Sequence, residues 1–357
     1  MDKNQSTNKK NNRNSNIELL RCILLFLIVF YHLLLHGTNG TLVHFFEWQP
    51  LPLTAVESFS LIFCMFPVDC FVIISGYYKI NIVENGRIRT AKLIKNYSPI
   101  FFYSVTIGAI YCIATGNIEL KTISDLFPVL QSNCWFASCY LLLCVISPIL
   151  NDIFDKYCKN RHFIILFVIL GILNYCMTGS KFSELMGIGS NRFFMIVYCY
   201  FLGRFVCEYE KKILVIKRHC LLLFLVTFLI QCTLVSIQRH FYPSINEKFW
   251  CWLSLNSSPF TMFQAICIFL FFMKRKHFYN KFINILGAGS FAVYLITENT
   301  HLRKVIYTLV DGHSHKDSPF LIFYLLTAAL LLFFVCQLIE FIRLYLFHKI
   351  SRLRETD

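Results

Sequence analysis

The chain has 357 residues; 56% are hydrophobic, 17% aromatic and 15% charged, and its formal net charge is +14. Soluble domains carry about a quarter charged residues, so a soluble fold is excluded in favour of a polytopic membrane protein. The basic residues are dispersed along the chain rather than gathered on one face, which argues against a nucleic-acid partner.

In chain order, residues 1–16 form a polar Asn/Lys-rich leader, read as disordered and cytoplasmic. The first apolar run, Ile17–Leu35, lacks a small-residue cleavage site and carries Arg21 and His32. It reads as a retained membrane helix rather than a signal peptide. An ionisable group inside hydrocarbon is costly and marks a functional candidate. Eleven residues are three turns plus about 20°, so Arg21 and His32 share one helix face, about 16 Å apart along its axis.

Hydropathy predicts an all-α bundle of about ten spans: 17–36, 56–78, 98–116, 135–153, 162–178, 191–207, 219–236, 252–273, 284–305 and 319–346. Assigning the intervening Lys and Arg to alternate sides places 25 on one side and 8 on the other. By the positive-inside rule this predicts an even span number with both termini cytoplasmic. Residues 17–347 form one membrane domain, and 348–357 a basic cytoplasmic tail. Pro67 falls inside the second span and is a site for a kink. The sixteen cysteines include no C-x-x-C pair and lie mostly in apolar spans, where Cys serves as a small hydrophobe. His313 and His315 in GHSHKD read as an exposed loop, and no metal site is expected.

Three ionisable groups from three spans reach the middle-to-outer membrane layer: His32, Asp69 in the second span and Glu298 in the ninth. One reading is an acid/base centre, in which His32 takes a proton from a hydroxyl while a carboxylate orients the ring. The other is a set of buried polar residues that fix helix packing. Nearer the cytoplasm, Arg21, Ser75 and Gly76 lead to the basic segment Arg87, Arg89, Lys92 and Lys95. These charges would rim a cavity mouth suited to a phosphorylated donor such as a coenzyme A thioester; any cytoplasmic loop is also basic. Gly76 would admit a slender chain, or simply let two helices pack closely. Trp135 is either an interfacial anchor or an aromatic wall for a sugar ring, with Asn299 beside Glu298 a second acceptor contact. The G-x-S-x-G elbow, the nucleotide-binding glycine motifs and the H-x4-D pattern are absent from the sequence.

Arg21-x10-His32 resembles the R-x10-H signature of the membrane acyltransferase 3 family, the bacterial surface-polysaccharide O-acyltransferases. PVDCFVIISGYY is similar to that family's V-D-x-F-F-x-x-S-G-F/Y, NCWFASCYLLLCVISPIL to its W-F…P segment, FLGRF to F-x-x-G, and FAVYLITEN to G-x-Y-L-I-H. The matches follow the family's order from about residue 17 to 305. The resemblance implies an acyl-CoA donor, usually acetyl-CoA, entering from the cytoplasm, and transfer to a hydroxyl of a cell-surface or lipid-linked glycan at the bacterial cytoplasmic membrane. It makes His32 the essential catalytic residue and Arg21 a donor-side partner. Arg87 and Arg89, or Lys92 and Lys95, stand in for the family's basic motif. Two departures stand out: Thr297 replaces the histidine of Y-L-I-H, and lysines replace the arginine run before Pro99. The pantetheine arm would thread past Arg21 to His32. There His32 acts as general base with Glu298 or Asp69 as orienting carboxylate, or carries the acyl group itself. A transporter or flippase, and a sensor or scaffold, are the rival readings.

Overall fold

The computed structural model describes residues 13–38, 51–84, 87–88, 90–116, 134–177, 192–241, 258–315 and 318–354. The helices are α1 (Ser15–His36), α2 (Leu51–Phe63), α3 (Pro67–Tyr77), α4 (Thr90–Thr115), α5 (Trp135–Tyr157), α6 (Arg161–Met177), α7 (Arg192–Glu208), α8 (Leu214–Phe241), α9 (Pro259–Met273), α10 (Lys281–Thr297), α11 (Thr300–Val310) and α12 (Leu321–Arg354). The exception to the all-α pattern among the described residues is a minimal hairpin of β1 (Val83–Glu84) and β2 (Arg87–Ile88).

Among the described residues, six helical segments are long and apolar enough to cross a membrane: Ser15–His36, Val56–Tyr77, Tyr97–Thr115, Trp135–Tyr157, Leu214–Ile237 and Leu321–His348. Each coincides with a predicted span. The other four predicted spans hold shorter helices, and that at 284–305 is not one helix. It breaks into α10 and α11, with Glu298 and Asn299 at the break. The second span bends at Cys64–Phe66, and α3 restarts at Pro67, where a missing N–H costs no helical hydrogen bond. α12 continues to Arg354, so part of the expected tail is helical. Residues 1–12 of the expected leader lie outside the described residues.

Apolar side chains cover the outside of these helices. Leu222 and Leu229 of α8 and Leu331 and Leu338 of α12 are all more than half exposed. In water such patches would be interaction surfaces; on membrane-spanning helices they are the lipid face.

The interior is organised around α1, which packs against α3, α9, α10 and α12. Asn14 caps its start by accepting from the Asn16 N–H. α1 and α10 run parallel at nearly constant register. The Ser15 hydroxyl donates to Asn284 Oδ1 at 2.8 Å, Glu18 lies against Gly287, and His32 meets Glu298 beyond the end of α10. A Cβ on Gly287 would sit 2.4 Å from Glu18 Oε2 and 3.0 Å from its Cα, so the glycine sets the helix separation.

α3 and α7 cross equally closely through Gly76 and Gly203. A Cβ on Gly76 would lie 2.1 Å from the Tyr200 carbonyl oxygen, and one on Gly203 2.2 Å from that of Ile73. Small residues at such crossings let membrane helices gain dispersion contact. Within apolar α8 and α9, the Gln264 amide donates to Gln231 Oε1 at 2.8 Å. At the end of α3, Tyr77 donates to Glu210 Oε2 at 2.9 Å, and Lys217 also pairs with Glu210. These two partners, Lys217 foremost, hold the Glu210 carboxyl below the usual carboxylate range. Asp155 likewise joins Lys79 and Arg204, each at 2.6 Å.

Candidate active site

One cavity of about 1230 Å3 runs along α1 and is walled also by α3, α4, α5, α7, α10, α11 and α12. α1 is about 32 Å long at 1.5 Å per residue, close to the thickness of a hydrocarbon core. Its residues from Arg21 to His36 recur on the wall at helical spacing: Arg21, Leu25, Ile28, His32, Leu35 and His36. The volume exceeds the 300–1,000 Å3 usual for a single small-ligand pocket, which leaves room for two substrates.

At the His36 end, His32 Nδ1 lies 3.1 Å from Glu298 Oε1. The two are at ion-pair distance, but the geometry is off the line of a hydrogen bond. With Nδ1 toward the carboxylate, Nε2 is the ring nitrogen left for a reacting group. Tyr307 donates to the same Glu298 oxygen at 2.8 Å, and Arg303 Nη1 is 3.6 Å from the other. The His36 ring stacks on His32 at 6.1 Å and tilts against Tyr307 at 5.3 Å. Glu298 is buried, yet three different side chains surround it. The helix break explains how: Glu298 ends α10, and Arg303 and Tyr307 return on the first two turns of α11 at the i+5 and i+9 positions.

Asn299, expected at the acceptor, instead caps α11. Its side chain accepts from the His301 N–H at 3.0 Å, and it does not line the cavity.

Asp69 does not join His32. It is completely buried against Cys199 of α7. The period of α3 sets this division: Val68, Phe71 and Ser75 fall on the cavity wall, and Asp69 and Gly76 on the face toward α7. Of the two carboxylates considered for orienting His32, Glu298 is the one in place. Gly76 is a packing glycine, because the α7 backbone occupies the space a ligand would need. Ser75 does face the cavity. Its hydroxyl donates to Phe71 O at 3.0 Å and lies 3.1 Å from the Tyr140 hydroxyl.

On α5, Trp135 lines the cavity with the Arg192 guanidinium 4.9 Å from its ring centroid. Phe136 packs edge-on against Tyr294 at 5.8 Å and stacks on Tyr140 at the same distance, continuing an aromatic wall.

At the Ser15 end the wall is cationic. Arg21 Nη1 donates to buried Glu18 Oε1 at 3.1 Å, and Arg13 Nε is 3.8 Å from the same oxygen. Arg343 of α12 lines the same cavity and is held by Glu340. Arg89, and the side chains of Arg87, Lys92 and Lys95, lie outside the described residues. Among the described residues, no three His, Cys, Asp or Glu cluster as a metal site would require.

Sequence reasoning missed Glu18, His36, Arg192, Arg303, Tyr307, Glu340 and Arg343. Three of them, Glu18, Glu340 and Arg343, carried a readable signal. Glu18–Arg21 and Glu340–Arg343 are both opposite charges three apart inside apolar helices, where each is costly unless paired. Arg303 and Tyr307 were hidden because their role depends on the break after Thr297.

A helical bundle with a long cavity lined by arginines, and with an imidazole–carboxylate pair toward its His36 end, has the build of a membrane-embedded group-transfer enzyme. The chain belongs to the acyltransferase 3 family: the family model, described as an acyltransferase domain, matches residues 14–340, nearly the whole length. It is therefore a membrane acyltransferase. No curated protein and no solved structure matches the chain.

Proposed function

We propose that the protein is an O-acyltransferase that moves an acyl group, most simply acetyl, from cytoplasmic acyl-CoA to a hydroxyl of a cell-surface polysaccharide or lipid-linked glycan at the plasma membrane. The observation that carries this reading is that Arg21 and His32 line one cavity along the same face of α1, with Glu298 against His32. Donor phosphates bind toward Arg21. The pantetheine arm follows α1 for the roughly 16 Å to His32. The glycan enters at the other end, beside Trp135 and Arg192.

His32 Nε2 removes the proton from the sugar hydroxyl as its oxygen bonds to the thioester carbonyl carbon. The tetrahedral intermediate collapses, the C–S bond breaks, and the CoA sulfur leaves with the proton returned by the imidazolium. Glu298, at ion-pair distance from Nδ1, stabilises the imidazolium. Tyr307 and Arg303 in turn hold Glu298. The products are an ester and free CoA, so no further reactant is required.

The test is release of free CoA from acetyl-CoA by the purified protein with a glycan acceptor. A transporter with the same polar lining would consume no thioester. Release by the wild type and none by His32→Ala supports the proposal; undiminished release by His32→Ala contradicts it.

A further inference from the structure

We propose that Arg343, presented by Glu340 on α12, is the second arm of an anion clamp whose first arm is Arg21, presented by Glu18 on α1, and that the clamp takes the phosphate groups of the donor. This rests on the reading that the Ser15 end of the cavity receives a phosphorylated thioester.

The two arms are built alike. In each, a buried glutamate precedes its arginine by three residues, one turn of helix. Each glutamate is seated against a glycine of α10: Glu18 against Gly287 and Glu340 against Gly289. A Cβ on Gly289 would come within 3.2 Å of Glu340 Cγ and 2.6 Å of Gln337 Oε1. Residues two apart on a helix point about 160° from each other, so the two acids flank α10. Ala288, between them, is exposed to the cavity, and both Arg21 and Arg343 line that cavity.

Arg343 is fixed as a ligand-binding arginine would need to be. Its Nε donates to Glu340 Oε2 at 2.6 Å and its Nη2 to Oε1 at 2.7 Å, while Tyr103 donates to Glu340 Oε2 at 2.6 Å. The Phe102, Tyr103 and Phe347 rings lie 5.5, 5.8 and 5.6 Å from the guanidinium carbon. The bidentate pair uses two of the five guanidinium N–H groups and leaves Nη1 outside it. Stability does not account for such a pair, because replacing a buried ion pair by apolar residues is often neutral or stabilising. The charges also favour an anion: three arginines, Arg13, Arg21 and Arg343, face two glutamates at this end. The planar guanidinium matches phosphate oxygens two at a time. Arg343 lies beyond the residues matched by the family model.

The test uses the full-length protein in nanodiscs of zwitterionic lipid, with the glycan acceptor present, and measures free-thiol release from acetyl-CoA and from S-acetylpantetheine, which lacks the nucleotide. The Glu340→Gln/Arg343→Gln double variant strands no buried charge, and Arg343→Lys keeps the charge without the fork. The wild type is expected to prefer acetyl-CoA in kcat/KM. That preference is expected to fall at least about tenfold in the double variant, through KM for acetyl-CoA, the loss of one to two charge-assisted hydrogen bonds. Arg343→Lys is expected to fall between, and it decides the matter alone if the double variant does not fold. An unchanged preference, with kcat reduced on both donors, would show a mere packing pin and overturn the clamp. Anionic lipid that raises KM for acetyl-CoA in the wild type but not in Arg343→Lys would assign the arginine to a lipid phosphate and overturn it as well. A wild type that releases thiol from neither donor refutes the acyl-CoA reading, and the clamp with it.

Discussion

His32 on α1 and Glu298 at the end of α10 come within 3.1 Å of each other although they stand near opposite ends of the chain. The parallel packing of α1 on α10 brings this about, beginning at Ser15 and Asn284 and continuing through Glu18 and Gly287. The His32–Glu298 pair therefore lies at the far end of this helix pairing from Ser15 and Asn284.

His32→Ala is expected to abolish acyl transfer, and Glu298→Gln to lower kcat by about 10²–10⁴, the usual contribution of positioned acid–base catalysis. Tyr307→Phe removes one hydrogen bond to Glu298 and is expected to have a smaller effect in the same direction. Steady-state CoA release by purified variants checks the order His32, Glu298, Tyr307.

Gly287→Ala places a methyl against Glu18, about 16 Å of helix away from Glu298 at 1.5 Å per residue. Overpacking of this kind typically costs about 1–3 kcal/mol. Because it pries apart the seam that aligns His32 with Glu298, activity is expected to fall even where the variant remains folded. A melting curve and a rate measured on the same preparation separate the two losses.

Trp135→Ala is expected to raise KM for the glycan by about three- to tenfold, the range of an aromatic contact, and to leave KM for acetyl-CoA near the wild-type value. Varying one substrate at a time shows which constant moves. A rise for the donor alone would place Trp135 on the wrong substrate.

Glu210 ties the end of α3 to α8 through Tyr77 and Lys217. Its folded pKa is depressed, so its contribution to stability is present in full above the ordinary carboxylate range and is lost as pH falls through the lower folded value. The melting temperature of Glu210→Gln is expected to lie below that of the wild type at neutral pH, with the gap narrowing in acid. A gap that is constant with pH would contradict the assignment.

Much of this was legible in the sequence for physical reasons. The 3.6-residue period alone put Arg21 and His32 on one face, and both line the cavity. Six of the ten predicted spans followed from hydropathy, because apolar surface must face lipid. Depth, by contrast, did not distinguish Glu298 from Asp69. Both are buried carboxylates at similar height, and only the rotation of α3 about its axis turns Asp69 toward α7. The same rotation separates Ser75, on the cavity, from Gly76, in the α3–α7 crossing. The capping position of Asn299 was not legible because a break in the ninth hydrophobic run has no hydropathy signal, although its Thr-Glu-Asn-Thr sequence holds a capping residue.

In the proposed function the cavity joins a donor side near Arg21 to an acceptor side near His32. Sealed vesicles carrying the protein, loaded with acceptor glycan and given labelled acetyl-CoA only outside, decide whether it does. With the Arg21 end outward, label is expected on the enclosed glycan while CoA stays outside, and none with His32→Ala. Acetylation only when donor and acceptor share one side of the membrane would contradict it.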